Sequence, residues 1–238
     1  AQGQHPPGAG GMTLYLSRLN FVRDPSVAAL GALLEPDAPG QRLDAYHRLV
    51  WSAFADDSKA DRRFLFRAEG RGRFLVLSHV PPVGGPLFEP PEVKLFEPNL
   101  DPGDRLSFDL KVNATRTVKT GKRTPSGTEH KVHRDIVMQA LHGISDRRER
   151  RMDLAQREGT AWLAGQGDKA GFDVDDAIVS DYSTVSLPGR DMRRPRFGIL
   201  DMAGTLTVND PSLFVDRLAR GFGRAKAFGC GLMLIRRA

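Results

Sequence analysis

Near the C-terminal end, the tract Gly221-Phe222-Gly223-Arg224-Ala225-Lys226-Ala227-Phe228-Gly229-Cys230-Gly231-Leu232 sets two Gly-X-Gly pairs around two cations. Glycine reaches positive φ and lets a ligand approach the backbone amides, and Arg224 and Lys226 add charge that suits a phosphate. The same pattern also suits a tight loop whose glycines serve close packing. Two nucleotide-binding signatures are excluded. A Walker loop needs Gly-Lys followed by Ser or Thr, and a dinucleotide fingerprint needs Gly-X-Gly-X-X-Gly between a first strand and a helix. Here residues 211–220 read as a short helix started by Asp210-Pro211, and residues 232–235 read as a strand after the glycines.

A second candidate lies on a predicted helix over residues 42–55. At about 100° per residue, Leu43, Tyr46, Val50, Ala53 and Phe54 form one apolar stripe, and His47 falls on its edge between Leu43 and Trp51. An edge histidine either packs as an ordinary border residue or faces a cleft, where it can act as general acid or base. Asp44 stands one turn away and either favours the imidazolium or is a solvated first-turn acid. His130 and His133 have HxxH spacing but no evident third and fourth ligand, so neither a metal site nor a cofactor is expected.

Cations supply the broader signal. Lys111, Lys119, Lys122, Arg123, Lys131 and Arg134 occupy a strand and the loop after it, and Arg190, Arg193, Arg194 and Arg196 occupy the tip of a hairpin. Arginine forks match phosphates and guanine edges, so that hairpin suits an RNA groove. Arg147-Arg148-Glu149-Arg150-Arg151, with its intermixed acid, reads as a solvated helix face. The 238 residues carry a formal charge of +6 and only 8% aromatics, with no RNP-like aromatic pair on a strand. Shape and backbone charge therefore outweigh base stacking as the mode of recognition, and a structured stem-loop presents both.

The positioning elements read as follows. Residues 12–20 alternate like a half-buried strand, residues 26–34 have helical spacing, and residues 64–68 and 74–80 are strands about the turn 69–72. Prolines punctuate residues 81–98, with one short strand at 93–96. A second unit opens at Arg105 with the strand 106–112, then a basic loop over 113–134, a helix over 147–163, and strands over 172–187 and 197–208. Each half alternates as β-α-β-β-(α)-β, the ferredoxin-like order, with the second helix of the first half the weakest element. Domains are expected at 12–100 and 105–238, after a disordered leader or expression remnant over 1–11 and a plausible initiating Met12. One cysteine, Cys230, no membrane-length apolar run and no signal-like start place the protein in the cytoplasm.

The glycine tract resembles the C-terminal signature of the CasE family, the RNA-processing proteins of the type I-E Cascade complex in the RAMP superfamily. Met12-Thr13-Leu14-Tyr15-Leu16-Ser17-Arg18-Leu19 resembles that family's first strand. Leu106 to Ala114 with Gly121-Lys122-Arg123 resembles its Arg-Ala-Asn-Pro and Gly-Lys-Arg segment, and Phe197 to Asn209 with Asp210-Pro211 its penultimate strand. The resemblance implies an α+β fold of two tandem ferredoxin-like (βαββαβ) domains with antiparallel sheets. It also implies a metal-independent endoribonuclease that cuts CRISPR repeat RNA at the base of a stem-loop, leaving 2′,3′-cyclic phosphate and 5′-hydroxyl ends, and keeps its product among other Cascade subunits. On this basis His47 is the expected catalytic residue, with Tyr46 beside it as a second candidate although it points about 100° away. The expected RNA-binding set is Arg48, Lys111, Asn113, Lys119, Lys122, Arg123, Arg190, Arg193, Arg194, Arg196, Arg224 and Lys226, with Gly221, Gly223, Gly229 and Gly231 as the loop. The family carries tyrosine where this chain has Asp44, which leaves a non-catalytic RNA-binding subunit of the same lineage as the alternative.

Overall fold

The computed structural model describes residues 13–54, 64–124, 126–189 and 195–238. In chain order the first half contains β1 (Tyr15–Asn20), α1 (Pro25–Ala29), α2 (Gly31–Leu34), α3 (Pro39–Ser52), β2 (Phe64–Gly70), β3 (Arg73–Ser78) and β4 (Glu92–Leu95). Its sheet has the order β2-β3-β1-β4, antiparallel throughout, with Leu19 opposite Phe74 and Tyr15 opposite Leu95. Alternation along β1 to β3 puts Leu19, Phe64, Phe66, Phe74 and Val76 on one face, where α3 covers them. Among the described residues no helix joins β3 to β4. Pro81, Pro82, Pro86, Pro90 and Pro91 occupy that stretch, and proline lacks the amide that a helix needs.

The second half contains β5 (Arg105–Val112), β6 (Thr115–Arg123), β7 (Glu129–Asp135), α4 (Ile136–Ala140), α5 (Arg147–Gly167), β8 (Phe172–Ser186), β9 (Arg196–Val208), α6 (Pro211–Arg220), a 3-10 turn (Lys226–Phe228) and β10 (Met233–Arg237). Its sheet order, β10-β5-β9-β8, repeats the arrangement of the first, and both are the ferredoxin-like order. The expected fold class, two tandem ferredoxin-like units, is therefore present, the first without its second helix. Leu106, Phe108, Leu110 and Val112 point to one face of β5 and pack with Trp162, Leu163, Phe214 and Leu218 of the two long helices.

Two elements differ from expectation. The stretch 113–134, read as a basic loop, is largely the two-stranded ribbon β6–β7, with Val118 opposite Val132 and Thr117 opposite His133. Threonine and valine at alternating positions favour a strand there, which the intervening cations and glycines obscured. The short helix α4, five residues long, has no expected counterpart. It is held at its start by Asp135, whose side chain accepts from the amides of Val137 and Met138 at 3.0 and 2.9 Å.

The two sheets meet through Leu14, Leu65 and Leu77 on one side and Leu232 on the other. Arg67 and Asp109 add an ion pair at 2.7 Å. Among the described residues no helix is long and apolar enough to cross a membrane.

Candidate active site and its basic cleft

Helix α3 begins at Pro39, whose fixed φ suits a first helical position. Gly40 then lies so close to the Ser186 backbone that a Cβ there would collide with its carbonyl, which brings α3 onto the end of β8. Tyr46, Leu49, Val50 and Ala53 are buried in the first core, as the apolar stripe requires. Leu43 packs instead with Val185, Ile199 and Cys230 of the second half. His47, one turn on from Leu43, is half-buried at the border, with its ring 6.1 Å from Trp51 and 6.0 Å from Phe228. The edge histidine thus faces the tip of the glycine tract.

Tyr46 does not share that position, and its place among the candidate catalytic residues is corrected. Its ring stands edge-on to Phe74 at 5.0 Å in the core, and its hydroxyl donates to Glu35 Oε1 at 2.7 Å. Burial, then the Glu35 bond, pushes this hydroxyl above the ordinary phenol range, so it is neither exposed nor ready to ionise. Asp44 pairs with Arg48 at 3.0 Å, one turn along the exposed side of the helix.

The glycine tract is built for packing. Gly221, Gly223, Gly229 and Gly231 all have positive φ, between 63° and 92°. A Cβ on Gly221 would meet Leu65 Cδ1 at 2.7 Å, and one on Gly223 would meet the Asn113 carbonyl at 2.5 Å. Several amides expected to cradle an anion already donate within the protein: Phe222 to Gly231, Arg224 to Asn113, and Gly231 to Lys111. Lys226 reaches back to the Arg220 carbonyl and holds the open end of α6. Burial, and then the neighbouring Arg217 and Arg220, holds its amine below the usual lysine value. Of the tract's two cations, Arg224 is the exposed one.

Arg224 lines a cleft of about 890 Å³ that runs between the β6–β7 ribbon, α4 and the start of β9. Arg134, Arg196 and His133 add basic character, while Val132, Met138 and Phe197 supply apolar wall. Phe197 meets Phe228 with ring centroids 5.8 Å apart, so Phe228 touches both His47 and a wall of the cleft.

Of the other predicted binding residues, Lys122 and Arg123 are exposed on the ribbon, whereas Lys119 pairs with Glu129 at 2.9 Å. Lys111 pairs with Asp201 at 3.3 Å across β5 and β9. Asn113 is 4% exposed and donates its side-chain amide to the Gly198 carbonyl at 2.7 Å, so it fixes the cleft floor rather than offering a free contact. Arg196 bonds Thr184 Oγ1 at 2.9 Å near the base of the predicted hairpin, and Arg190, Arg193 and Arg194 lie outside the described residues. His130 and His133, three apart on one strand, point to opposite faces and bond Thr120 and Thr117 separately. Among the described residues no group of three or more His, Cys, Asp or Glu is placed to hold a metal ion. The sequence does not single out Phe197, Phe228 or Gln139, and His142 reads there as a boundary residue before Gly143, because their meeting depends on β9, α4 and the glycine tract converging.

Comparison with known proteins agrees with this architecture. The chain is 27% identical over 198 residues to the CRISPR system Cascade subunit CasE of Escherichia coli (strain K12), a match covering 79% of this chain and 88% of that protein. Its fold is similar to that of the CRISPR-associated protein Cas6e from Escherichia coli str. K-12, with a TM-score of 0.63 at 22% identity over 94% of this chain and 100% of that one. Thermus thermophilus Cse3 bound to an RNA representing a pre-cleavage complex gives a TM-score of 0.62 at 23% identity, covering 94% and 99% of the two chains. A family model described as CRISPR associated protein matches residues 14–237, and the chain belongs to that family.

Proposed function

We propose that this protein is a metal-independent endoribonuclease that cuts CRISPR repeat RNA at the base of a stem-loop and retains the product beside other Cascade subunits in the cytoplasm. The observation that carries the reading is His47, placed by α3 against the tip of the glycine tract, next to a cationic cleft. The RNA supplies its own nucleophile. The 2′-oxygen attacks the adjacent phosphorus, the bond from phosphorus to the 5′-oxygen breaks, and the products carry a 2′,3′-cyclic phosphate and a 5′-hydroxyl. His47 takes the proton from the attacking 2′-hydroxyl or gives one to the departing 5′-oxygen, and solvent water exchanges the other proton. Exposed cations, Arg224 of the glycine tract together with Lys122, Arg123 and Arg196, hold the backbone and offset charge developing on the phosphate.

The alternative is an RNA-binding subunit without cleavage, favoured by Asp44 standing where the family has tyrosine and being drawn to Arg48. Incubating the purified protein with its cognate repeat RNA in EDTA separates the readings. Cleavage supports the proposal, binding without cleavage supports the alternative, and the absence of both cleavage and binding contradicts both.

A further inference from the structure

We infer that the cleft beside Arg224 seats the unpaired nucleotides that flank the RNA stem on the side of the cut, an inference that rests on the proposed RNA-processing function. The volume of about 890 Å³ falls in the range of ligand pockets and suits roughly one or two nucleotides rather than a duplex. Its walls divide by chemistry. Arg134, Arg196 and Arg224 are exposed cations for phosphate, Phe197 and Met138 are half-buried apolar surface for a base face, and Gln139 offers an exposed amide for a base edge.

One acid, Asp135, also lines the cleft, but its acceptor capacity is spent inside the protein. Oδ1 accepts from the Val137 and Met138 amides and from the Tyr182 hydroxyl at 2.9 Å, and Oδ2 accepts from the Gly198 amide at 3.2 Å. These four donors come from α4, β8 and β9, so the carboxylate braces the walls, and its charge is set against Arg134, Arg196 and Arg224 on the same lining. What remains facing the opening is cationic, donor-rich and partly apolar.

Single-stranded rather than paired RNA fits this lining. A base within an A-form helix keeps its faces stacked and its edges in a deep, narrow groove, whereas a splayed base exposes a face to Phe197 and an edge to Gln139. Position points to the cut side: Phe228 lies 6.0 Å from the His47 ring and 5.8 Å from the Phe197 ring, so the cleft lies two ring contacts from the proposed catalyst.

The test uses the whole chain and three RNAs built on the cognate repeat stem-loop: one ending bluntly at the stem base, one with single-stranded nucleotides on the 5′ side, and one with them on the 3′ side. Each carries 2′-deoxyribose at the cut, and affinity is read by fluorescence anisotropy. One of the two flanks should tighten binding to the wild-type protein. Phe197→Ala should weaken that flanked RNA by roughly 5- to 150-fold, and Gln139→Ala by roughly fivefold, while both keep wild-type affinity for the blunt stem and Phe197→Tyr retains the gain. The unchanged blunt-stem affinity doubles as the folding control, and Gln139, being exposed, tests the cleft even if Phe197→Ala unfolds. A wild-type protein that gains nothing from either flank, or variants that weaken blunt and flanked RNA equally, would overturn the inference while leaving the RNA-processing function standing. Failure to bind any of the three would overturn both.

Discussion

His47 carries the account, and its neighbours decide what it can do. The ring stands at the edge of an apolar stripe, against Phe228 and Trp51, with Tyr46 turned into the core one residue earlier. His47→Ala is expected to lower cleavage of repeat RNA by roughly 10²- to 10⁴-fold with affinity nearly intact, which single-turnover rates and binding isotherms check together. Tyr46→Phe keeps the ring in its packing against Phe74 and loses only the bond to Glu35. It should leave the cleavage rate within about threefold and cost roughly 1 kcal/mol of stability. A drop as large as that of His47→Ala would return Tyr46 to the reaction. Burial also raises the hydroxyls of Tyr46 and Tyr182, the latter helped by Asp135, and pushes the Cys230 thiol up to about 12. An acid whose folded value is raised stays protonated while its unfolded counterpart ionises. These groups therefore favour the fold below the ordinary thiol and phenol values, about 8.5 and 10, and that contribution is lost as pH climbs past them. Urea midpoints measured from pH 8 to pH 11 should fall, and native Cys230 should resist alkylation until the chain unfolds.

The glycine tract shows how one pattern serves two readings until its packing partners are known. Glycines at positive φ beside cations suit an anion cradle, yet Leu65 and Asn113, remote in sequence, occupy the space that side chains would need. Gly221→Ala and Gly223→Ala are each expected to destabilise the protein by about 1–3 kcal/mol, from strained φ and displaced neighbours, as read by urea unfolding. An unchanged midpoint for both would remove the packing role. The alternating strands β1 and β5, the short apolar runs of β2 and β3 about their glycine turn, and the edge position of His47 are legible because each is a local pattern. The ribbon β6–β7 was not, since its cations and glycines hide a threonine and valine alternation and neither strand covers a large core. Helix α4 is five residues long, too short for a helical period to show, and its stability comes from the Asp135 cap. The cleft was the least legible feature, because Phe197, Phe228 and Gln139 become neighbours only through the sheet order and the docking of α3 on the second half.

Across the whole molecule, charge and fold divide the labour of recognition. The tandem sheets bring α3 of one half onto β8 and the glycine tract of the other, and Arg48 of α3 and Arg224 of the tract are exposed. Replacing Arg193 and Arg194 with Ala, at the predicted tip of the β8–β9 hairpin, should weaken stem-loop binding. It should also flatten the dependence of log affinity on log salt by about 0.7–0.9 for each phosphate contact removed. Unaltered affinity and slope would assign those arginines to solubility alone. In the proposed reaction the RNA attacks itself while His47 moves a proton. It is tested most directly by offering the wild-type protein its cognate repeat RNA beside the same RNA with a single 2′-deoxyribose before the cut, and analysing the product ends. The first RNA should be cut to a 2′,3′-cyclic phosphate and a 5′-hydroxyl, while the second stays intact and binds with similar affinity; cleavage of the deoxy substrate at the same position would rule this reaction out.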